Sequence, residues 1–132
     1  MKFMLLMNTP RDGYEQYLRW PKEALQANTA FMIQLSTKLK TSGELVSSEG
    51  LASPTQAKLV RAGKDGKPIT DGVFPESKEY LAGYWIVDVD SPERAYAIAA
   101  EVSTAPGPGI DGVKALVVEV REVMSGRPKE LR

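Results

Sequence analysis

The sequence predicts an α+β domain of the split βαβ type: an antiparallel sheet with two helices packed on one face and a small β-hairpin arm. Three observations carry this. Apolar runs of strand length, KFMLLMN, YLAGYWIVDV and ALVVEVREV, stand near both ends and in the interior of the chain. Two segments between them repeat apolar residues at helical spacing, and Asp65-Gly66 marks a tight hairpin.

Phe3 to Met7 is a short apolar run closed by the turn formers Asn8 and Pro10, so it reads as a buried strand and is too short for an export leader. Residues 15 to 42 read helical in two parts, because Pro21 lacks the N–H that a helix interior needs. Leu25, Met32, Leu35 and Leu39 form the inner stripe, which also carries Asn28. A buried amide must be satisfied, here by a neighbouring backbone group or, alternatively, by a ligand. Ser42-Gly43 ends the helix.

Two strands follow, ELVSSEGL and QAKLVRA, then the hairpin and a short return strand at Pro68 to Thr70, with Asp71-Gly72 building a turn. YLAGYWIVDV is the next strand. Ser91 caps the second helix, Pro92 takes its first position, and Ala95, Ile98, Ala99 and Val102 supply its buried face. After the loop APGPGIDG, the strand ALVVEVREV closes a single domain over residues 1–124, and residues 125–132 form a polar C-terminal tail.

Strand alternation turns Phe3, Leu5 and Met7 one way and Met4 and Leu6 the other; Trp85, Val87 and Val89 likewise oppose Tyr84 and Ile86. Both sheet faces are therefore apolar, yet two helices cover only one. The economical cover for the second is another copy of the chain, so a homodimer through the sheet face is expected.

Composition narrows the chemistry. Seventeen basic and 17 acidic residues leave no net charge, which argues against nucleic acid as a partner. The absence of cysteine and histidine removes disulfides, thiolate zinc, thiol catalysis and His-based triads. No run approaches the roughly 18 to 20 apolar residues of a spanning helix, so no membrane role and a cytoplasmic location are expected. Asp71 and Glu76 match no established metal-loop spacing, and APGPGIDG lacks a nucleotide-binding glycine pattern; neither metal nor cofactor is expected.

The remaining acid and base candidates concentrate in Asp71, Glu76, Lys78, Glu79 and Tyr80, in a loop that enters a core strand. Asp71 or Glu76 is the candidate base and Lys78 its electrostatic partner, against the alternative of a solvated or ion-paired loop. Gly83 either admits a second backbone or a ligand or marks a bulge, and Tyr84 beside it is a candidate ligand contact or a core or dimer contact. Arg11 and Tyr14, with Trp20, sit near the expected cleft; the Arg11 fork suits a carboxylate or phosphate, or pairs with Asp12 or Glu15.

DGVFPESKEYLAGYWIVDVDSPERA, together with KFMLLMN, the EGL of SSEGLASP and VVEVREV, resembles the YCII-related family in its DGPF-domain branch. The resemblance covers nearly the whole chain and implies a ferredoxin-like βαββαβ subunit with an extra β-hairpin arm, forming a dimeric α/β barrel. It also implies a link to muconolactone-isomerase-like barrels, and, in some members, to alternative sigma factors. Asp71, Gly72, Phe74, Glu76, Lys78, Glu79 and Gly83 match the motif. Val73 replaces its proline, with Pro75 nearby; Glu122 replaces another; and Met32 stands where many members carry histidine, so a histidine mechanism does not apply.

Two functions follow as expectations. The first is a small-molecule pocket between sheet, first helix and the 71–79 loop, with proton-transfer activity of isomerase or lyase type. The alternative is a non-catalytic binding or regulatory protein partnered with a transcription (sigma) factor.

Overall fold

The computed structural model describes residues 1–72, 79–107 and 116–125. Its elements run β1 (Lys2–Thr9), α1 (Gly13–Leu18), α2 (Lys22–Thr41), β2 (Leu45–Gly50), a 3₁₀ turn (Pro54–Gln56), β3 (Lys58–Ala62), β4 (Pro68–Gly72), β5 (Tyr80–Asp88), α3 (Pro92–Ser103) and β6 (Val118–Glu122).

Four strands form one sheet in the order β2-β5-β1-β6, every neighbour antiparallel, and β3 pairs β4 in a separate two-stranded sheet. This mixed α+β topology is compatible with a ferredoxin-like subunit carrying a hairpin arm. Pro21 separates the two parts of the expected long helix, and α2 ends at Ser42 with the Glu44 N–H returning to the Leu39 carbonyl at 2.9 Å. Ser91 caps α3 by accepting from the Arg94 N–H at 3.2 Å, with Pro92 first in the helix.

The core lies between the sheet and helices α2 and α3. Leu5, Val87, Leu39, Ile98 and Val102 are its fully enclosed large residues, with Phe3, Trp85, Val89 and Leu35 beside them. Strand alternation thus sorts residues as expected. The opposite face carries half-buried Met4, Leu6, Tyr84 and Ile86. Cross-strand register places Glu49, Tyr84, Leu6 and Glu119 in one row of that face, and Ser47, Ile86, Met4 and Arg121 in the next. An apolar centre with a polar border results, and no described element covers it.

The hairpin differs from expectation at its end. Asp71 and Gly72 are not a turn but the last ladder residues of β4, opposite Leu59 and Lys58. Cross-strand pairing extends the return strand by two residues beyond Thr70. The turn itself is where Asp65-Gly66 predicted it: Gly66 has φ +80°, a conformation that suits a residue without Cβ, and its N–H bonds the Gly63 carbonyl at 3.0 Å. All ten residues of β3 and β4 are exposed in the single chain.

The final strand is shorter than the apolar run that predicted it, beginning at Val118 rather than Ala115. The polar tail from 126 onward lies outside the described residues.

Candidate functional site

A cavity of about 410 Å³ lies at the end of the sheet where β1 meets α1 and α2. Local sequence shapes it. The β1–β5 register jumps between Met7 and Asn8, so that Met7 faces Gly83 and Asn8 faces Leu81, leaving Ala82 as the extra residue of a bulge. Asn8, Thr9 and Ala82 at this kink line the cavity.

Close packing at Gly83 draws the opposite wall inward. A Cβ there would sit 2.9 Å from the Glu49 carbonyl and 3.1 Å from Met7 Cε. The expected close approach at Gly83 is therefore made by the β2 backbone, beside a bulge, and Gly83 is not itself part of the cavity lining. Beyond β2 the Leu51 N–H bonds the Ala82 carbonyl at 2.8 Å, which holds Leu51 and Ala52 in the wall.

Helix α1 and the residues after it supply the aromatic side. Tyr14, Tyr17 and Trp20 recur every three positions and all line the cavity. The rings of Tyr14 and Tyr17 are 6.5 Å apart, and Tyr17 meets Trp20 edge to face at 5.2 Å. Trp20 in turn packs beside Gly107, where a Cβ would lie 3.6 Å from Cη2. From α2 come Met32 and Asn28. The Asn28 Nδ2 donates to the Pro106 carbonyl at 3.0 Å, so the expected backbone partner exists and the residue also lines the cavity.

Beneath the wall, α1 is tied to the 3₁₀ turn. Ser53, only 5% exposed, donates to Glu15 Oε1 at 3.2 Å, and its Oγ lies 2.8 Å from Thr55 Oγ1. Because Ser53 has one hydroxyl proton and gives it to Glu15, Thr55 is the donor of that second bond. Glu15 Oε2 is buried and has no hydrogen-bond partner among the described residues. Glu15 itself is not among the described lining residues; its chain neighbour Tyr14 is, and so is Pro54, the neighbour of its partner Ser53.

A second, smaller crevice of about 270 Å³ shares Met7, Met32 and Gly50 with the first and adds Tyr84, Trp85 and Ser48. Trp85 is 3% exposed, and its Nε1 also lacks a partner among the described residues.

The sequence-nominated residues thus divide. Tyr14 and Asn28 line the main cavity; Tyr84 lines the smaller crevice while belonging to the open face row; Arg11 is exposed, outside the lining, and pairs with neither Asp12 nor Glu15. Asp12 instead accepts from Gln16 Nε2 at 2.8 Å. Asp71 lies exposed on the arm and lines neither space. Glu76 and Lys78 lie outside the described residues, as does the expected contribution of the 73–78 loop.

No three acidic side chains among the described residues are grouped to hold a metal ion, and no described helix is long and apolar enough to cross a membrane. Comparison with protein-family models matches residues 1–125 to the YCII-related domain. Comparison with curated proteins finds no match.

Proposed function

Because the chain belongs to the YCII-related domain family, we propose that it is a small-molecule-binding protein that works as a homodimer, its two open sheet faces closing a dimeric α/β barrel. One observation carries the binding part: the 410 Å³ cavity, which falls in the size range of small-molecule sites and combines an aromatic wall with a few polar groups. The dimer part rests on the half-buried Met4, Leu6, Tyr84 and Ile86, an apolar centre bordered by charge.

A thermal-shift screen of neutral, anionic and phosphorylated metabolites tests the binding reading. A ligand at about 100 times its dissociation constant adds about 2.7 kcal/mol, several degrees in a domain of this size. A hit lost in Trp20→Leu supports the cavity as its site. A screen with no hit in any class counts against it and favours a protein-binding role for the dimer.

A second reading, proton transfer, is favoured by Glu15. One of its carboxylate oxygens is held by Ser53 and the other is buried without a described partner, beside the lining residues Tyr14 and Pro54. A carboxylate so placed serves as a base when a bound molecule presents an acidic C–H within reach. On this reading Asp71, Glu76 and Lys78 need not supply the base. Deuterium uptake from heavy water into a bound ligand, present with wild type and lost in Glu15→Gln while binding persists, is the expected result; equal uptake in both proteins rules Glu15 out.

A further inference from the structure

We propose that the cavity and the smaller crevice are two ends of one elongated site, which takes a molecule with an aromatic ring at one end and an unbranched apolar chain at the other. The inference rests on reading the cavity as the ligand site.

Three walls run through both spaces. On α2, Asn28 lines the cavity, Met32 lines both spaces and Ser36 lines the crevice. These residues are spaced by four, so they follow one another along a single flank of the helix. At 1.5 Å per residue, the flank from Asn28 to Ser36 is about 12 Å long. Along β2 and the chain after it, Ser48 and Glu49 line the crevice, Gly50 lines both spaces, and Leu51 and Ala52 line the cavity. On β5, Ala82 lines the cavity, and Tyr84 and Trp85 line the crevice. Helix and strands thus agree that the two spaces lie end to end beside α2.

The junction is built to yield. The residues common to both linings are Met7, Met32 and Gly50. A Cβ on Gly83 would come within 3.1 Å of Met7 Cε and 3.4 Å of Gly50 Cα, so the Met7 methyl lies over Gly83 and beside Gly50. Methionine is unbranched, with three rotatable bonds, and adapts its shape to what is packed against it. Two thioethers and a glycine therefore let a slender chain pass more readily than a second ring.

Each end selects its part of the guest. Tyr14, Tyr17 and Trp20 line the cavity, and aromatic walls reward a stacked or edge-on ring beyond its area alone. In the crevice Trp85 is 3% exposed, whereas Glu49 and Gly50 are exposed. An apolar chain suits the Trp85 end, and a hydroxyl at its tip suits the neighbourhood of Ser36, Ser48 and Glu49.

Two isomers of one formula separate shape from hydrophobicity: 6-phenyl-1-hexanol, which is rod-shaped, and 2,6-diisopropylphenol, which is compact. Affinities are measured by calorimetry. The rod is expected to bind about tenfold more tightly, the effect of about two more buried methylenes. The chain has two tryptophans, and one lines each space, so nuclear Overhauser contacts locate the guest. Ring protons of the bound rod should contact Trp20, and the methylenes at its hydroxyl end should contact Trp85. In Ser36→Phe, which fills the far end, the affinity ratio of the isomers should fall to about one.

Isomers that bind wild type equally, or a rod whose chain makes no contact with Trp85, overturn the elongated site while leaving the cavity a ligand site. A ratio unchanged in Ser36→Phe does the same. If neither isomer binds but the broad screen finds a ligand lost in Trp20→Leu, the ring-and-chain class is wrong and the cavity reading stands. If that screen is also empty, both fail. The wild-type comparisons need no variant, so they hold even if Ser36→Phe disturbs the fold.

Discussion

Arg94, in the first turn of α3, grips Glu44 between α2 and β2 through two parallel bonds, Nε to Oε2 and Nη2 to Oε1, each 2.8 Å. Two elements meeting the core from different directions are thereby tied at one point. The Arg94 hydrogen bonds, helped by Ser42 and opposed by partial burial, pull the Glu44 carboxyl from 4.5 down to about 2. The same pair raises the Arg94 guanidinium above its usual value.

A carboxyl whose folded pKa is depressed stabilises the fold above its unfolded pKa and loses that contribution as pH falls toward the folded one. The Glu44 contribution is therefore complete above about pH 5 and fades as pH approaches about 2. Arg94 is 37% exposed, so solvent screening limits the pair to about 1 to 2 kcal/mol. Glu44→Gln should melt lower than wild type at neutral pH, and the gap should narrow in acid. A gap unchanged down to strongly acidic pH would show that the pair contributes nothing that titrates.

Gly83→Ala should destabilise the sheet. The added methyl meets the Glu49 carbonyl at 2.9 Å and the Met7 methyl at 3.1 Å; the side chain can swing away, but the β2 backbone cannot move without breaking the ladder. A cost of about 1 to 3 kcal/mol is expected from such overpacking. Denaturant midpoints of the two proteins measure it, and equal midpoints would mean that β2 yields freely.

The open face should set the oligomeric state. Sedimentation equilibrium of wild type is expected to give the mass of two chains at micromolar concentration. Ile86→Asp, which puts a charge at the centre of the Ser47, Ile86, Met4 and Arg121 row, should give one. A monomeric wild type removes the barrel from the proposal without touching the cavity.

Asp71→Asn should change little. Its side chain lies on β4, whose residues are all exposed and outside the cavity lining, and exposed substitutions usually shift stability by less than about 0.5 kcal/mol. Ligand affinity should be equal in the two proteins, by the same calorimetry. A large loss of affinity would return the 71–79 segment to the centre of the site.

Most of the architecture could be read before any coordinates because it is local. The break at Pro21, the cap at Ser91 and the turn at Gly66 each depend on one residue's backbone chemistry, and all three occur where expected. The sorting of Phe3 and Leu5 from Met4 and Leu6 depends only on strand periodicity. The turn expected at Asp71-Gly72 is where local reading failed: cross-strand pairing extends β4 through both residues and places Asp71 on the arm.

What the chain order determined by itself is the element sequence, the two-faced sheet and the family resemblance, since each rests on spacing or on contiguous motifs. Tertiary structure decided the cavity and what surrounds it. Glu15 meets Ser53 across 38 positions, and Asn28 reaches Pro106 across 78. Gly83 was recognisable as a glycine, but whether a ligand or a backbone filled its missing Cβ depended on where β2 came to lie. Such pairings follow from the packing of whole elements, and a one-dimensional pattern carries no distance between residues that the chain brings together only by folding.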